Sequence, residues 1–156
     1  MSKHFCEVCL SDKDFKRIEV EEEIGMKGLI LNVLHEYDQC ESCKQLFEPI
    51  EDIDKNIKRD FREYRKQVGF LQPEEVKQIR EKYGMNLRQF AELLGVGYST
   101  LSHIENGSLQ SRYQNSLFVL VSTPQAMYSL LNNRLNYTKE DYSNVVEIVK
   151  ELAIKY

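Results

Sequence analysis

The chain has 156 residues, of which 42% are hydrophobic and 29% charged, the composition of a globular protein. A membrane-spanning helix needs ~18 consecutive apolar residues, but the longest apolar run, 29–34, is interrupted by Asn32. The N-terminus lacks the apolar core of a signal peptide, so we expect a cytoplasmic protein without a membrane partner. The net charge of −4, taken alone, argues against binding to nucleic acid.

The charge is unevenly distributed along the chain. Residues 1–57 carry seven basic and fourteen acidic side chains, whereas residues 58–115 carry ten basic and seven acidic ones. Residues 116–156 carry four of each. This asymmetry predicts an acidic module and a basic module with different partners, so the total charge does not exclude nucleic-acid binding.

All four cysteines lie in the first 43 residues, as Cys6-Glu7-Val8-Cys9 and Cys40-Glu41-Ser42-Cys43. Each C-x-x-C pair aims two thiolates at one point, and two such pairs complete a tetrahedral site for Zn²⁺. Because cysteine fills all four positions, no position stays open for water, and the pattern predicts a structural metal rather than a catalytic one. The zinc would stabilise a segment whose hydrophobic core is too small to fold alone.

The cysteine pattern is also compatible with disulfides, with unrelated buried thiols and with an iron site. Disulfides are disfavoured because the chain lacks a secretion signal. His4 and His35 lie near the cysteines in sequence and offer replacement ligands, but we favour solvated or strand-surface positions for both histidines.

Alternating apolar residues predict two strands, 14–24 and 29–37, joined by a turn at 25–28, and a third short strand around 45–47. This hairpin would return the second cysteine pair to the first. Residues 51–69 predict a helix with one apolar stripe, formed by Ile53, Ile57, Phe61, Tyr64 and Val68. Its basic residues fall largely off that stripe; they are Lys58, Arg59, Arg62, Arg65 and Lys66.

Three helices are predicted between residues 73 and 106. Pro73 begins the first, Asn86 caps the second, Gly95 ends the second, and the third runs from about residue 98 to 106. Two short helices joined by a Gly-Val-Gly turn are typical of a helix-turn-helix. Glu105, near the end of the third helix, is expected to serve the fold rather than DNA binding.

Residues 85–107, MNLRQFAELLGVGYSTLSHIENG, resemble the helix-turn-helix of Cro/C1-type (XRE) repressors. With two C-x-x-C pairs in front, the arrangement over roughly residues 5–135 resembles the MqsA (YgiT-type) antitoxin family. The resemblance implies a zinc-binding N-terminal domain that engages a toxin, and a helical C-terminal domain that dimerises and binds double-stranded operator DNA.

The chain departs from these patterns at the reading positions. Leu87 stands where XRE proteins commonly have glutamine, and Ser99 and His103 stand where MqsA-type proteins commonly have asparagine and arginine. The i, i+4 spacing keeps both on one helix face, but histidine lacks arginine's bidentate fork for guanine. We therefore expect DNA binding at a different operator sequence. The predicted DNA-binding residues are Arg88, Tyr98, Ser99, Thr100, Ser102, His103 and Arg112.

Three further helices are predicted in the C-terminal part. Residues 115–121 close the repressor core, Thr123 and Pro124 begin the next helix, and a capping box at 138–141 begins the last one. The last helix has an apolar stripe that must be buried, on its own domain or against a second subunit, and we favour a homodimer. The stripe consists of Tyr142, Val145, Val146, Val149 and Leu152.

Together these features predict an α+β protein: a small zinc-bound β-hairpin module (1–50), a connecting helix (51–70), an all-α helix-turn-helix domain (71–122) and C-terminal helices that offer a dimerisation element (123–156). We expect a non-enzymatic transcriptional repressor that is also the antitoxin of a type II toxin–antitoxin system and autoregulates its operon. The alternatives are a zinc-stabilised protein–protein adaptor, a plain regulator without a toxin, and a redox or metal-dependent enzyme that uses the C-x-x-C pairs.

Overall fold

The computed structural model describes residues 2–155 and has an α+β architecture, as predicted. The chain divides into two compact units, Met1–Tyr64 and Arg65–Tyr156, within which we describe the structure. This division falls inside the helix predicted over 51–70, and the division into four domains stays a prediction.

The first unit contains one antiparallel sheet with the strand order β1-β2-β3-β4. The strands are β1 Ser2–Cys6, β2 Ser11–Met26, β3 Leu29–Cys40 and β4 Leu46–Phe47. Strand β1 was not predicted, since its five residues show no apolar alternation. The turn is shorter than the predicted 25–28 and consists of Lys27 and Gly28, both with positive φ. It is shorter because Gly25 still belongs to β2 and pairs with Ile30 of β3.

The hairpin β2–β3 buries two of the three alternating apolar residues predicted for β3, and the first of them, Leu29, is 38% exposed. Leu31 and Val33 are 1% and 6% exposed, which confirms that these positions face inward. They pair with Ile24 and Glu22 of β2 and lie on the same face of β3, because side chains alternate along a strand.

Helix α1 (Lys55–Val68) differs from the predicted helix in its first residue and in the face that it buries. It begins four residues later, and Ile53 and Ile57 of the predicted apolar stripe are 71% and 42% exposed. Asn56 and Asp60 are buried instead. The side chain of Asn56 accepts from the Glu36 N–H and donates to the Glu36 carbonyl, so strand β3 supplies partners for this polar face.

The second unit is helical. Its helices are α2 Pro73–Lys82, α3 Leu87–Leu94, α4 Tyr98–Glu105, α5 Arg112–Val121, α6 Pro124–Arg134 and α7 Ser143–Lys155, with a 3₁₀ turn at Leu135–Tyr137. Asn86 caps α3 as predicted, accepting from the N–H of Gln89. Among residues 2–155, no helix is both long and apolar enough to cross a membrane.

Two predicted helix starts are wrong. Helix α5 begins at Arg112 rather than 115, because Ser111 caps it and accepts from the Gln114 N–H. Helix α7 begins at Ser143, because the hydroxyl of Thr138 donates to the carbonyl of Leu135 and caps nothing.

The apolar stripe of the last helix folds back onto its own unit. Val145 and Val149 are 1% and 0% exposed, and Tyr142 joins them in the core that contains Phe90 and Phe118. Of the two predicted fates for this stripe, burial on its own domain is therefore the one observed.

Candidate metal centre and nucleic-acid interface

The four cysteines converge on one point in the first unit. One sulfur from each of Cys6, Cys9, Cys40 and Cys43 lies within 4.8 Å of the other three. The Sγ atoms of Cys6 and Cys43 are 3.7 Å apart, and those of Cys9 and Cys40 are 3.9 Å apart. A tetrahedral zinc site with Zn–S bonds of ~2.3 Å has sulfur–sulfur edges of about 3.8 Å. The cluster therefore has the donor type and spacing to hold a metal ion.

Equivalent turns produce the two halves of this cluster. Cys6 ends β1 and Cys40 ends β3, and each strand is followed by a turn that carries the second cysteine. The residue after each second cysteine, Leu10 and Lys44, has a positive φ of 52° and 65°. Two non-glycine residues in this costly conformation at matching positions indicate that both turns are shaped by the site they build.

The thiols of the cluster differ in acidity. Backbone N–H groups of Cys43 and Ser42 lower the pKa of Cys40 to about 7, against the opposing effect of burial. Burial and the neighbouring thiols raise the pKa of Cys9 to about 12. Four thiolates within a few ångströms repel one another, and a divalent cation removes that repulsion.

His35 is not a solvated surface residue, which corrects the sequence interpretation. It is 4% exposed, and its ring nitrogens lie 2.6 Å from a Glu22 oxygen and 2.6 Å from an Asp60 oxygen. A neutral imidazole has only one N–H, so two carboxylate partners favour the protonated ring. Burial lowers the pKa of His35, but the bonds to Asp60 and Glu22 outweigh burial and raise it. The Tyr37 hydroxyl and His35 lower the pKa of Glu22.

The stability of the first unit should depend on His35 in a defined pH range. Because the pKa of His35 is raised on folding, its contribution is complete below the unfolded value of ~6.5 and is lost as the pH rises through the folded value. The contribution of Glu22, whose pKa is lowered, is lost at the acidic end. We expect His35→Gln to destabilise the unit most between roughly pH 5 and 6.5, with a difference that shrinks at higher pH.

Urea unfolding of both proteins over this pH range, with saturating zinc in every sample, measures that difference. Asn32→Gln, a non-titrating replacement at an exposed position of the same strand, is the control and should give a pH-independent difference. A constant difference between wild type and His35→Gln across the range would contradict the assignment.

In the second unit, α3 and α4 form a compact helix-turn-helix. Gly95 adopts the left-handed conformation at φ 70°, and the N–H of Val96 donates to the Ala91 carbonyl, which closes α3. Leu101 and Ile104 of α4 are buried at 0% and 2% exposure. These contacts leave the opposite side of α4 toward solvent.

Most of the predicted DNA-binding residues lie on exposed surface. Tyr98 is 45% exposed, and Ser102 is half-buried. The other five are exposed: Arg88, Ser99, Thr100, His103 and Arg112. The guanidinium carbon of Arg88 lies 4.7 Å from the centroid of the Tyr98 ring. This cation–π contact connects the beginning of α3 to the beginning of α4.

An ion pair fixes the far end of α4. Arg80 of α2 donates to both carboxylate oxygens of Glu105 at 2.9–3.2 Å and also to the Met85 carbonyl. The side chains of Arg80 and Glu105 are 13% and 6% exposed. The prediction that Glu105 serves the fold is confirmed, whereas the part played by Arg80 was missed.

Arg65 corrects the sequence interpretation most sharply, because it is 1% exposed rather than on a solvated helix face. Its guanidinium donates to the Gln110 side chain at 2.9 Å and to the carbonyls of Gly107 and Ser108 at 3.1 and 2.5 Å. Gln110 in turn donates to the Leu71 carbonyl. This network fixes the loop between α4 and α5. In the sequence, the burial of Arg65 was indicated only by its position directly after Tyr64, which belongs to the predicted apolar stripe.

Comparison with known proteins finds a family match for one segment of the chain. Residues 76–112 match the family model described as Helix-turn-helix (HTH_3). This match covers most of α2, all of α3 and α4, and the first residue of α5, and it supports an XRE-type DNA-binding domain. No curated protein and no solved structure matches the chain.

Proposed function

We propose that the protein is a sequence-specific transcriptional repressor that binds double-stranded operator DNA through α4. The Helix-turn-helix match at residues 76–112 carries this proposal. The exposed polar side of α4, which includes Ser99, Thr100 and His103, supports its role as the helix that enters the major groove. Arg88 and Arg112, both exposed, would contact phosphates and fix the register.

We further propose that two copies bind one operator, with reading helices one helical turn apart, about 34 Å. Helix α5 supports a homodimer, since its Tyr113 and Leu120 are 72% and 62% exposed and lie on one face. A footprint on the DNA upstream of the protein's own gene tests both ideas. Two protected half-sites at that spacing are the expected result, and a single protected site would contradict the dimer.

Replacing His103 by alanine is expected to weaken operator binding by about 1–3 kcal/mol and to relax the preference at one base pair, because a base-reading contact is lost. A mobility-shift titration against the operator and its single-base variants measures both effects. Lys77→Ala, an exposed position on α2, is the control and should leave the base preference unchanged. If His103→Ala keeps both affinity and preference, His103 does not read bases.

We propose that the ion held by the four cysteines is structural Zn²⁺. The tetrathiolate donor set and the sulfur spacings support zinc. Its role would be to hold the two turns together, with no part in catalysis. Metal analysis of the purified protein should find one zinc per chain, whereas reversible dithiol oxidation of a metal-free protein would favour the redox alternative.

We propose that the first unit binds a basic toxin, which makes the protein an autoregulating antitoxin of the cytoplasm. Three carboxylates at alternate positions of β2 are exposed, those of Glu19, Glu21 and Glu23. They support a basic partner. Phe5 and Ile53, 59% and 71% exposed, lie along one groove of about 350 Å³, which supports a protein partner. Co-expression with a small neighbouring reading frame tests this role. Absence of any complex or growth rescue would favour a plain regulator.

A further inference from the structure

Residues 132–139, the end of α6 and the first part of its connection to α7, form a segment that hydrogen bonds hold against α3. The Glu92 carboxylate accepts from the backbone N–H of Lys139 at 3.0 Å and of Glu140 at 3.1 Å. These donors keep the pKa of Glu92 below its usual value although burial opposes them. The Tyr142 hydroxyl donates to the Gln89 carbonyl at 2.8 Å. The segment therefore has a fixed position on the first helix of the helix-turn-helix.

This position lies beside the turn that leads into α4. Arg88, Glu92 and Gly95 follow at i, i+4 and i+7, so they share one face of α3. A Cβ atom on Gly95 would lie 3.7 Å from Nη1 of Arg134. Arg88 contacts Tyr98 at the beginning of α4 from the same face. The segment thus continues the surface that begins with Arg88.

The basic side chains of this region suit a polyanion, because the Glu92 carboxylate beside them is engaged by two backbone N–H groups and the Tyr142 hydroxyl. No acidic residue occurs between Glu105 and Glu140, while Arg112, Arg134 and Lys139 lie in that interval. Within residues 2–155, no carboxylate lies within ion-pair distance of the Arg134 guanidinium or the Lys139 ammonium, and the Lys139 charge acts on the Glu92 carboxylate only from further away. The segment also contains uncharged residues: Asn132, Asn133, Leu135, Asn136 and Tyr137. The carboxylate of Asp141, just beyond the segment, is engaged by the N–H and hydroxyl of Ser143.

We propose that residues 132–139 form a second DNA-contacting element, in which Arg134 and Lys139 bind phosphates that flank the half-site read by α4. The inference rests on the proposed function, since it needs the helix-turn-helix to be docked on DNA. Contacts of this kind carry no base preference; they add affinity, salt dependence and length to the bound site.

The test is a salt titration of operator binding by the double variant Arg134→Gln, Lys139→Gln. Each lost phosphate contact reduces the slope of log K against log salt by about 0.9, so the double variant should lose about 1.8 per half-site and about 3.6 on an operator that binds two copies. Hydroxyl-radical footprinting should show the half-site still protected and the flanking phosphates exposed. Each single variant should lose about half of the slope change.

Lys150→Gln, Lys155→Gln on α7 is the matched control, because it removes the same charge from another surface and should keep the wild-type slope. An unchanged slope and footprint in the Arg134, Lys139 variant would overturn the inference while leaving the proposed function intact. An equal loss in both double variants would also overturn it, as would a change in the mass of the protein in solution without a change in slope. Failure of the wild type to bind would overturn the proposed function itself.

Discussion

Cys40→Ser is expected to unfold the first unit while the second unit stays folded. Cys40 is 0% exposed and ends β3, where it pairs with Phe15, so its replacement removes a metal ligand from the centre of the core around the cysteines. A structural zinc contributes roughly 10–16 kcal/mol of apparent binding free energy, which exceeds the stability of most small domains. The core around the cysteines includes only Phe15 and Phe47 besides the cysteines themselves, too few apolar side chains among the described residues to compensate.

Amide NMR spectra and limited proteolysis measure this effect separately for each unit. Residues 2–64 should lose their dispersed resonances and become protease-sensitive, whereas the helical residues of the second unit should keep both properties. Ser42→Ala, in the same turn, is the matched control and should bind metal normally. Chelation of the wild-type metal should reproduce the spectrum of Cys40→Ser. A folded, metal-free first unit in either experiment would contradict a structural metal.

Arg65→Met is expected to destabilise the second unit by about 3 kcal/mol. The guanidinium donates to the Gln110 side chain and to two backbone carbonyls, and methionine fills a similar volume without donors. Each buried acceptor left without a donor costs about 1–3 kcal/mol. Removing the desolvated cation offsets part of that cost. Urea unfolding followed by helical circular dichroism measures the change.

Lys66→Met is the matched control for this prediction, since it makes the same replacement one residue later, where the side chain is exposed. Its effect should stay within about 0.5 kcal/mol. Equal midpoints for the two variants would contradict the assigned role of Arg65 in fixing the loop between α4 and α5.

The features predicted from the sequence are those that depend on neighbouring residues. The spacing of the cysteines identified all four members of the cluster, and Asn86 and Gly95 marked the limits of α3. Capping and turn conformations arise from residues a few positions apart, so their signal lies within a short window.

The features missed depend on partners far away in the chain. The buried face of α1 is polar because Asp60 contacts His35 and Asn56 contacts Glu36, both on β3. Arg65 is buried because it donates to Gln110 and to the Gly107 carbonyl, and both acceptors lie more than forty residues later in the chain. Helical periodicity assigns charged residues to solvent, and only tertiary contacts override that assignment.

The proposed repressor function depends on DNA binding through the helix-turn-helix. Fluorescence anisotropy with a duplex from upstream of its own gene, titrated from low to moderate salt, tests it most directly. We predict tight binding at low salt, a preference over a scrambled duplex, and a linear fall of log K against log salt that reports several released counterions. No binding at low salt, or binding that ignores both salt and sequence, would contradict the account.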